Sequence, residues 1–116
     1  MSNRNTILIT GANGLIGQNL VNFLTRYKNL QIIATSRNEC RVNFPSSIKY
    51  YSADLTNPIE VKNLLTLAKP TFIINCAGAT QPDFCELNQN ISNEINVHAV
   101  SNLLKESLTL NSFFIQ

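Results

Sequence analysis

Three glycines at three-residue spacing, Gly11-x-x-Gly14-x-x-Gly17, follow directly on the strand-compatible run Thr6-Ile7-Leu8-Ile9-Thr10. The chemistry this spacing serves is anion binding. A buried strand that turns sharply into a helix aims backbone N–H groups at a pyrophosphate. The helix dipole favours the negative charge, and missing Cβ atoms let the phosphates approach. The spacing differs from G-x-G-x-x-G, so the surrounding sequence has to carry the assignment. Ile16, Leu20, Phe23, Leu24 and Tyr27 then recur at three- and four-residue steps, with Gln18, Asn19, Asn22, Thr25 and Arg26 between them. That pattern predicts a helix with one buried stripe. Asn13-Gly14 is also a hairpin signal, but no alternating partner strand follows it. A ligand-free turn between strand and helix would not need three glycines. The candidate ligand contacts in this segment are Gly11, Asn13, Gly14, Leu15, Ile16 and Gly17.

A second candidate stands at the end of the next strand. An acid about 20 residues beyond such a turn binds the ribose 2′-OH of NAD, whereas a nearby Arg accommodates the 2′-phosphate of NADP. Here the sequence is Thr35-Ser36-Arg37, with no acid. Ser36 can hydrogen-bond a phosphate and Arg37 offers it a charged fork. Most surface arginines are simply solvated, but this one sits at the strand end where selectivity is set. The expectation is NADP(H), with NAD(H) as the alternative cofactor.

The elements that must position these residues alternate. Leu30 to Thr35 reads as a second strand, Asn38 to Ser47 as an irregular connection, and Ile48 to Ser52 as a third strand. Asn57-Pro58-Ile59-Glu60 predicts a helix start, with Asn57 as cap, Pro58 in the first turn and Glu60 reaching back in a capping-box manner. Val61, Leu64, Leu65 and Ala68 form its buried face, and Lys69-Pro70 ends it. Thr71 to Asn75 is a fourth strand with an apolar middle, as in a parallel sheet covered on both faces. From Ile91, the positions Ile91, Ile95, Ala99 and Leu103, widened by Val100, Leu104 and Leu108, predict a long amphipathic helix. Ser112 to Gln116 opens a fifth strand. The predicted fold class is α/β, a doubly wound parallel sheet ordered 3-2-1-4-5 and truncated after strand five, with its crevice at the carboxyl edge beside strand one.

Composition excludes several classes. The 116 residues suit one domain, with 44% hydrophobic and 14% charged residues. A net charge of +2 without a basic run gives no reason to invoke nucleic acid. No apolar stretch is long enough to suggest a membrane span. Cys40, Cys76 and Cys85 are odd in number and lack C-x-x-C spacing, and His98 alone cannot complete a metal set with them. They read as buried or half-buried free thiols in a reducing cytosol, and the expected location is cytoplasmic.

Thr10-Gly11-Ala12-Asn13-Gly14-Leu15-Ile16-Gly17 resembles the TGxxGxxG fingerprint of the extended short-chain dehydrogenase/reductase superfamily, which includes sugar-nucleotide epimerases, dehydratases and reductases. The resemblance implies an NAD(P)-binding Rossmann domain over residues 1–116. It implies that Asp54 accepts a hydrogen bond from the adenine amino group and that Leu55 contributes its backbone. It also implies that Ala77, Gly78 and Ala79, within Asn75-Cys76-Ala77-Gly78-Ala79-Thr80, line the ribose and nicotinamide side. Ala79-Thr80-Gln81-Pro82-Asp83-Phe84-Cys85-Glu86 followed by Ile95-Asn96-Val97 looks like dTDP-4-dehydrorhamnose reductases. Ala79 stands where their pattern has Tyr.

The superfamily's chemistry depends on a Tyr with a Lys four residues later. Tyr27, Tyr50 and Tyr51 are followed at that distance by Gln31, Asp54 and Leu55. No catalytic residue is assigned. The expected function is the NAD(P)-binding portion of an extended short-chain reductase, epimerase or dehydratase, with a sugar-nucleotide substrate only in a full-length form; an oligomer is compatible with it. The alternative is a stand-alone, non-catalytic dinucleotide-binding module with a regulatory or assembly role. Ending within the apolar Phe113-Phe114-Ile115 favours the first.

Overall fold

A computed structural model describes residues 5–77 and 89–116, with the side chains of 89–95 excepted. Strand β1 (Asn5–Thr10) is exposed at its start and buried from Ile7 onward. It is the centre of a five-stranded parallel sheet with β2 (Leu30–Ser36), β3 (Lys49–Ser52), β4 (Phe72–Asn75) and β5 (Phe113–Ile115). The order is β3-β2-β1-β4-β5, as the alternation of elements predicts. Helix α1 (Leu15–Leu24) joins β1 to β2, α2 (Pro58–Ala68) joins β3 to β4, and α3 (Gln89–Leu110) precedes β5. The register sets Thr10 opposite both Thr35 and Asn75, and Ser36 opposite Ser52. The carboxyl ends of four strands therefore lie along one edge, where a doubly wound sheet binds its ligand.

Alternation along the strands gives each face its own core. Leu8, Ile33 and Ile73 meet Val61, Leu64 and Leu65 of α2 and Leu103 of α3 on one face. On the other, Ile7, Ile9, Ile32 and Ala34 pack with Val21 of α1, and the connection between β2 and β3 adds Phe44 and Ile48. That connection, residues 37–48, holds no regular element, as predicted for 38–47, and β3 begins at Lys49, one residue later than expected. Asn57 caps α2 as expected, its Oδ1 accepting from Ile59 N at 3.0 Å and Glu60 N at 3.3 Å.

The structure corrects four details. The predicted stripe on α1 is borne out only in part: Leu20 and Leu24 pack against the core, but Gly17 and Val21 are the buried residues, whereas Ile16, Phe23 and Tyr27 are exposed. Close contact between Gly17 and the glycine turn fixes which side of the helix meets the sheet, and the apolar period does not encode that contact. Tyr27 instead stands edge-on to Phe23, their ring centroids 5.9 Å apart. On α3, Ala99 and Leu103 are buried as predicted, but Ser107 is buried where the stripe named Leu104 and Leu108, which are exposed. The helix ends at Asn111 (φ 56°), and Ser112 N returns to Ser107 O at 2.9 Å. That return draws the Ser107 side inward, and its hydroxyl is satisfied by Leu104 O at 2.8 Å. Ile91 and Ile95 lie outside the described side chains. Glu60 does reach back, but to Asp54 N at 3.1 Å, where a capping box would take Asn57 N. Finally, Cys40 is exposed and Cys76 half-buried, while Cys85 lies outside the described residues.

Candidate dinucleotide site at the carboxyl edge

Two of the three glycines are required by the chain itself. Gly11 has φ 67°, and a Cβ there would stand 2.6 Å from Cys76 C and O and from Ala77 N. A Cβ on Gly17 would lie 2.3 Å from the Gly11 carbonyl oxygen. Gly14 differs. Its φ of −78° suits any residue, and an added Cβ would meet one atom, Gly11 O at 3.3 Å. Its bare side faces no other part of the described chain, which leaves room for an approaching group.

Gly14 is also the N-cap of α1, and no side chain caps that helix or places an acid in its first turn. Gly14 N itself donates to Gly11 O at 3.0 Å, but no side chain among the described residues caps the N–H groups that follow it, and these can meet an anion. The contrast with α2 is internal to the molecule: there Asn57 occupies two such donors and Glu60 supplies a negative charge. Leu15 and Ile16, the first residues of α1, are exposed.

Backbone bonds beyond the strand ends knit the edge together. Ala12 N donates to Thr35 O at 3.0 Å, Ala53 N to Ser36 O at 2.9 Å, and Cys76 N to Thr10 O at 3.3 Å. Thr10 Oγ1 donates to Asn75 Oδ1 at 2.5 Å, and Ala77 N reaches the same Asn75 oxygen at 3.2 Å, which fixes the exit of β4 beside the glycine turn. Burial raises the Cys76 thiol above its ordinary pKa. Past β3, Asp54 Oδ1 accepts from Thr56 Oγ1 at 2.6 Å and Thr56 N at 3.0 Å. The Thr56 hydroxyl, then its backbone N–H, then the charge of Arg37 lower the Asp54 carboxyl below its ordinary value, against the opposing effect of burial. Leu55 is buried, and its carbonyl receives Asn102 Nδ2 of α3 at 2.9 Å.

Ser36 is buried at the end of β2, and its hydroxyl accepts from Asn13 Nδ2 at 2.7 Å and contacts the Tyr50 hydroxyl. Arg37 is exposed. The edge thus brings together Gly11, Asn13, Gly14, Leu15, Ile16, Gly17, Ser36, Arg37, Asp54, Leu55 and Ala77. Gly78 and Ala79, with the stretch 80–86, lie outside the described residues. Sequence reasoning missed Tyr50 and Asn102. Tyr50-Tyr51 carried a weak signal, since neighbours in a strand face opposite sides and one tyrosine had to point toward the α1 face. Among the described residues no cluster of His, Cys, Asp and Glu could hold a metal ion, and no helix is long and apolar enough to cross a membrane.

This sheet order, with the start of α1 beside its central strand, defines a Rossmann-type, doubly wound α/β domain. More narrowly, the chain belongs to the family described as the RmlD substrate binding domain, whose profile matches residues 5–116. Among curated relatives, it is 31% identical over 106 residues to GDP-6-deoxy-D-talose 4-dehydrogenase of Aggregatibacter actinomycetemcomitans, covering 90% of this chain and 31% of that protein. It is 29% identical over 106 residues to dTDP-4-dehydrorhamnose reductase of the same organism, covering 91% and 32%. It is also 29% identical over 109 residues to methionine adenosyltransferase 2 subunit beta of Rattus norvegicus, covering 94% and 30%. The chain spans about a third of the length of these relatives. In fold it matches UDP-glucose 4-epimerase of Thermus thermophilus, solved with NAD, at a TM-score of 0.82 and 21% identity over 91% of this chain and 34% of that one. L-threonine dehydrogenase of Clostridium difficile gives a TM-score of 0.82 at 25% identity, covering 96% and 35%.

Proposed function

We propose that this chain is the NAD(P)-binding portion of a short-chain dehydrogenase/reductase acting on a sugar nucleotide, and that it prefers NADP(H). The observation that carries the reading is the contrast between helix starts: α2 is capped and acidic, whereas α1 begins at a bare Gly14 with no side-chain cap among the described residues. A pyrophosphate fits those donors. Asp54 supports the adenine assignment, because Thr56 occupies only Oδ1; Oδ2 would accept the amino group, with the Leu55 backbone beside it. Ala77, Gly78 and Ala79 would border the nicotinamide half. Arg37 would supply charge to a 2′-phosphate, on a turn that Ser36 closes. The sugar-nucleotide part of the reading comes from the relatives' names, a GDP-sugar dehydrogenase and a dTDP-sugar reductase. A cytoplasmic location fits cysteines without paired spacing.

A second reading has its own support. The relatives include the beta subunit of methionine adenosyltransferase 2, named as a component of a larger assembly. It fits a dinucleotide-binding module that serves a partner. Both readings require the cofactor. Isothermal calorimetry of the folded chain with NADPH and NADH tests it: binding of either is expected, and binding of neither overturns the proposal.

A further inference from the structure

The connection after β2 is irregular, yet in its first five residues, 37–41, the backbone is held from outside at four. Ser52 Oγ of β3 donates to Arg37 O at 2.9 Å. The Tyr50 hydroxyl, also from β3, donates to Asn38 O. Asn13 Nδ2, from the glycine turn, donates to Glu39 O at 3.0 Å, and Asn13 Oδ1 accepts from Arg41 N at 2.9 Å. A backbone carbonyl only accepts and a backbone N–H only donates, so these two bonds fix the Asn13 amide in one orientation. Ser36 completes the arrangement. It accepts from Asn13 and lies against Tyr50, whose own proton is on Asn38 O, so the Ser36 proton goes to the Tyr50 oxygen or to Asn38 O, 3.3 Å away. The clamped residues carry two exposed cations, Arg37 and Arg41. Irregular backbone that is tethered this closely loses little entropy when it meets a ligand.

We propose that Asn13, Tyr50 and Ser52 are positioning residues that hold the 37–41 backbone ready for the cofactor's ribose 2′-phosphate, with Arg41 joining Arg37 as a cation at that corner. The inference rests on the NADP(H) reading above and adds to it residues from β3. Because Asn13 belongs to the glycine turn, the clamp ties the pyrophosphate end of the site to its selectivity end.

The test compares NADPH, NADH and adenosine 2′,5′-bisphosphate by calorimetry on the full chain and on Tyr50→Phe, Ser52→Ala and Ser52→Thr. Tyr50→Phe keeps the ring and removes one hydrogen bond, so NADPH and the bisphosphate should weaken about fivefold, the scale of a single such bond. NADH should change by less than about twofold. Ser52→Ala should act in the same direction, and Ser52→Thr should restore binding. In an Arg37→Ala background the Tyr50→Phe effect should shrink, because the two residues act on one phosphate. Without cofactor, the Arg41 amide should exchange faster with solvent in Asn13→Ala than in the parent. If the parent prefers NADPH and the hydroxyl variants keep the same NADPH-to-NADH ratio, the clamp has no role in selectivity and the proposal is overturned. A parent that binds both cofactors equally overturns the underlying NADP(H) reading instead, and the clamp's selectivity role with it.

Discussion

Gly17 lies directly against Gly11, so close that a Cβ on Gly17 would stand 2.3 Å from the Gly11 carbonyl oxygen. That contact locks the first turn of α1 onto the strand exit. Gly17→Ala should therefore cost about 1–3 kcal/mol or more, as overpacking does, visible as a lower urea midpoint. Gly14 is under a milder constraint, since a Cβ there would stand 3.3 Å from the same oxygen. Gly14→Val should leave the fold largely intact while abolishing dinucleotide binding, read by circular dichroism and calorimetry on the same sample. Loss of folding in Gly14→Val would show that this glycine, too, serves the chain.

Charge at the selectivity corner gives a second expectation. Arg37→Ala should weaken NADP(H) binding by about 1–3 kcal/mol, the range for a hydrogen bond to a charged group, and NAD(H) binding much less. The ratio of the two dissociation constants is the informative quantity. Equal losses for both cofactors would place Arg37 at the pyrophosphate or adenine, away from the 2′ position.

Asp54 offers a check by titration. Its carboxyl is held below the ordinary value chiefly by the Thr56 hydroxyl, then by the Thr56 N–H and the charge of Arg37. A depressed folded value stabilises the native state above the unfolded pKa, and that contribution disappears as pH falls through the lower folded value. Carboxyl carbon NMR should place Asp54 below 3.8. Thr56→Val removes the hydroxyl bond and should move the titration upward. An unchanged titration would mean that the hydroxyl contributes nothing.

What was legible in the sequence was local. The glycine turn, the cap at Asn57 and the alternation of strand and helix are written within a few residues each, and the strand order follows from them. The face of α1 was not legible, because Ile16, Phe23 and Tyr27 satisfy a helical period as well as Val21 does. The deciding fact is steric, the contact between Gly17 and Gly11. Ser107 was hidden in the same way, since its burial depends on how α3 turns into β5. At the site, Ser36 and Arg37 could be named from their distance to the glycine turn, and Asp54, Leu55 and Ala77 only from the family resemblance. The bonds that hold them could not, because Asn13 and Arg41 are 28 residues apart and meet only after β2 pairs with β1 and β3.

Thr35 Oγ1 is buried at the end of β2 without a hydrogen-bond partner among the described residues. An unpartnered buried hydroxyl costs about 1–3 kcal/mol, and Val has a similar shape and a strong strand preference. Thr35→Val should raise stability by about 1 kcal/mol in urea denaturation. A loss of stability would indicate a partner for the hydroxyl, such as a bound water.

The last expectation concerns turnover. A carbonyl reduced by hydride needs a proton donor beside its oxygen, and in this superfamily a Tyr serves, with a Lys four residues on lowering its pKa. The three tyrosines of this chain are placed elsewhere. Tyr27 stands against Phe23, the Tyr50 hydroxyl is spent on Ser36 and Asn38, and Tyr51 packs against the α2 side of the core. None is followed by a Lys at the required distance. Cofactor bound at the carboxyl edge would supply the hydride, but among the described residues none is set to hold a sugar carbonyl over it with a proton ready. The polypeptide by itself should bind NADPH yet leave its absorbance at 340 nm unchanged with 4-keto sugar nucleotides. Steady oxidation above a heat-killed control, abolished by Gly14→Val, would show that another group of this chain donates the proton, and Tyr50→Phe and His98→Gln would be the first variants with which to find it.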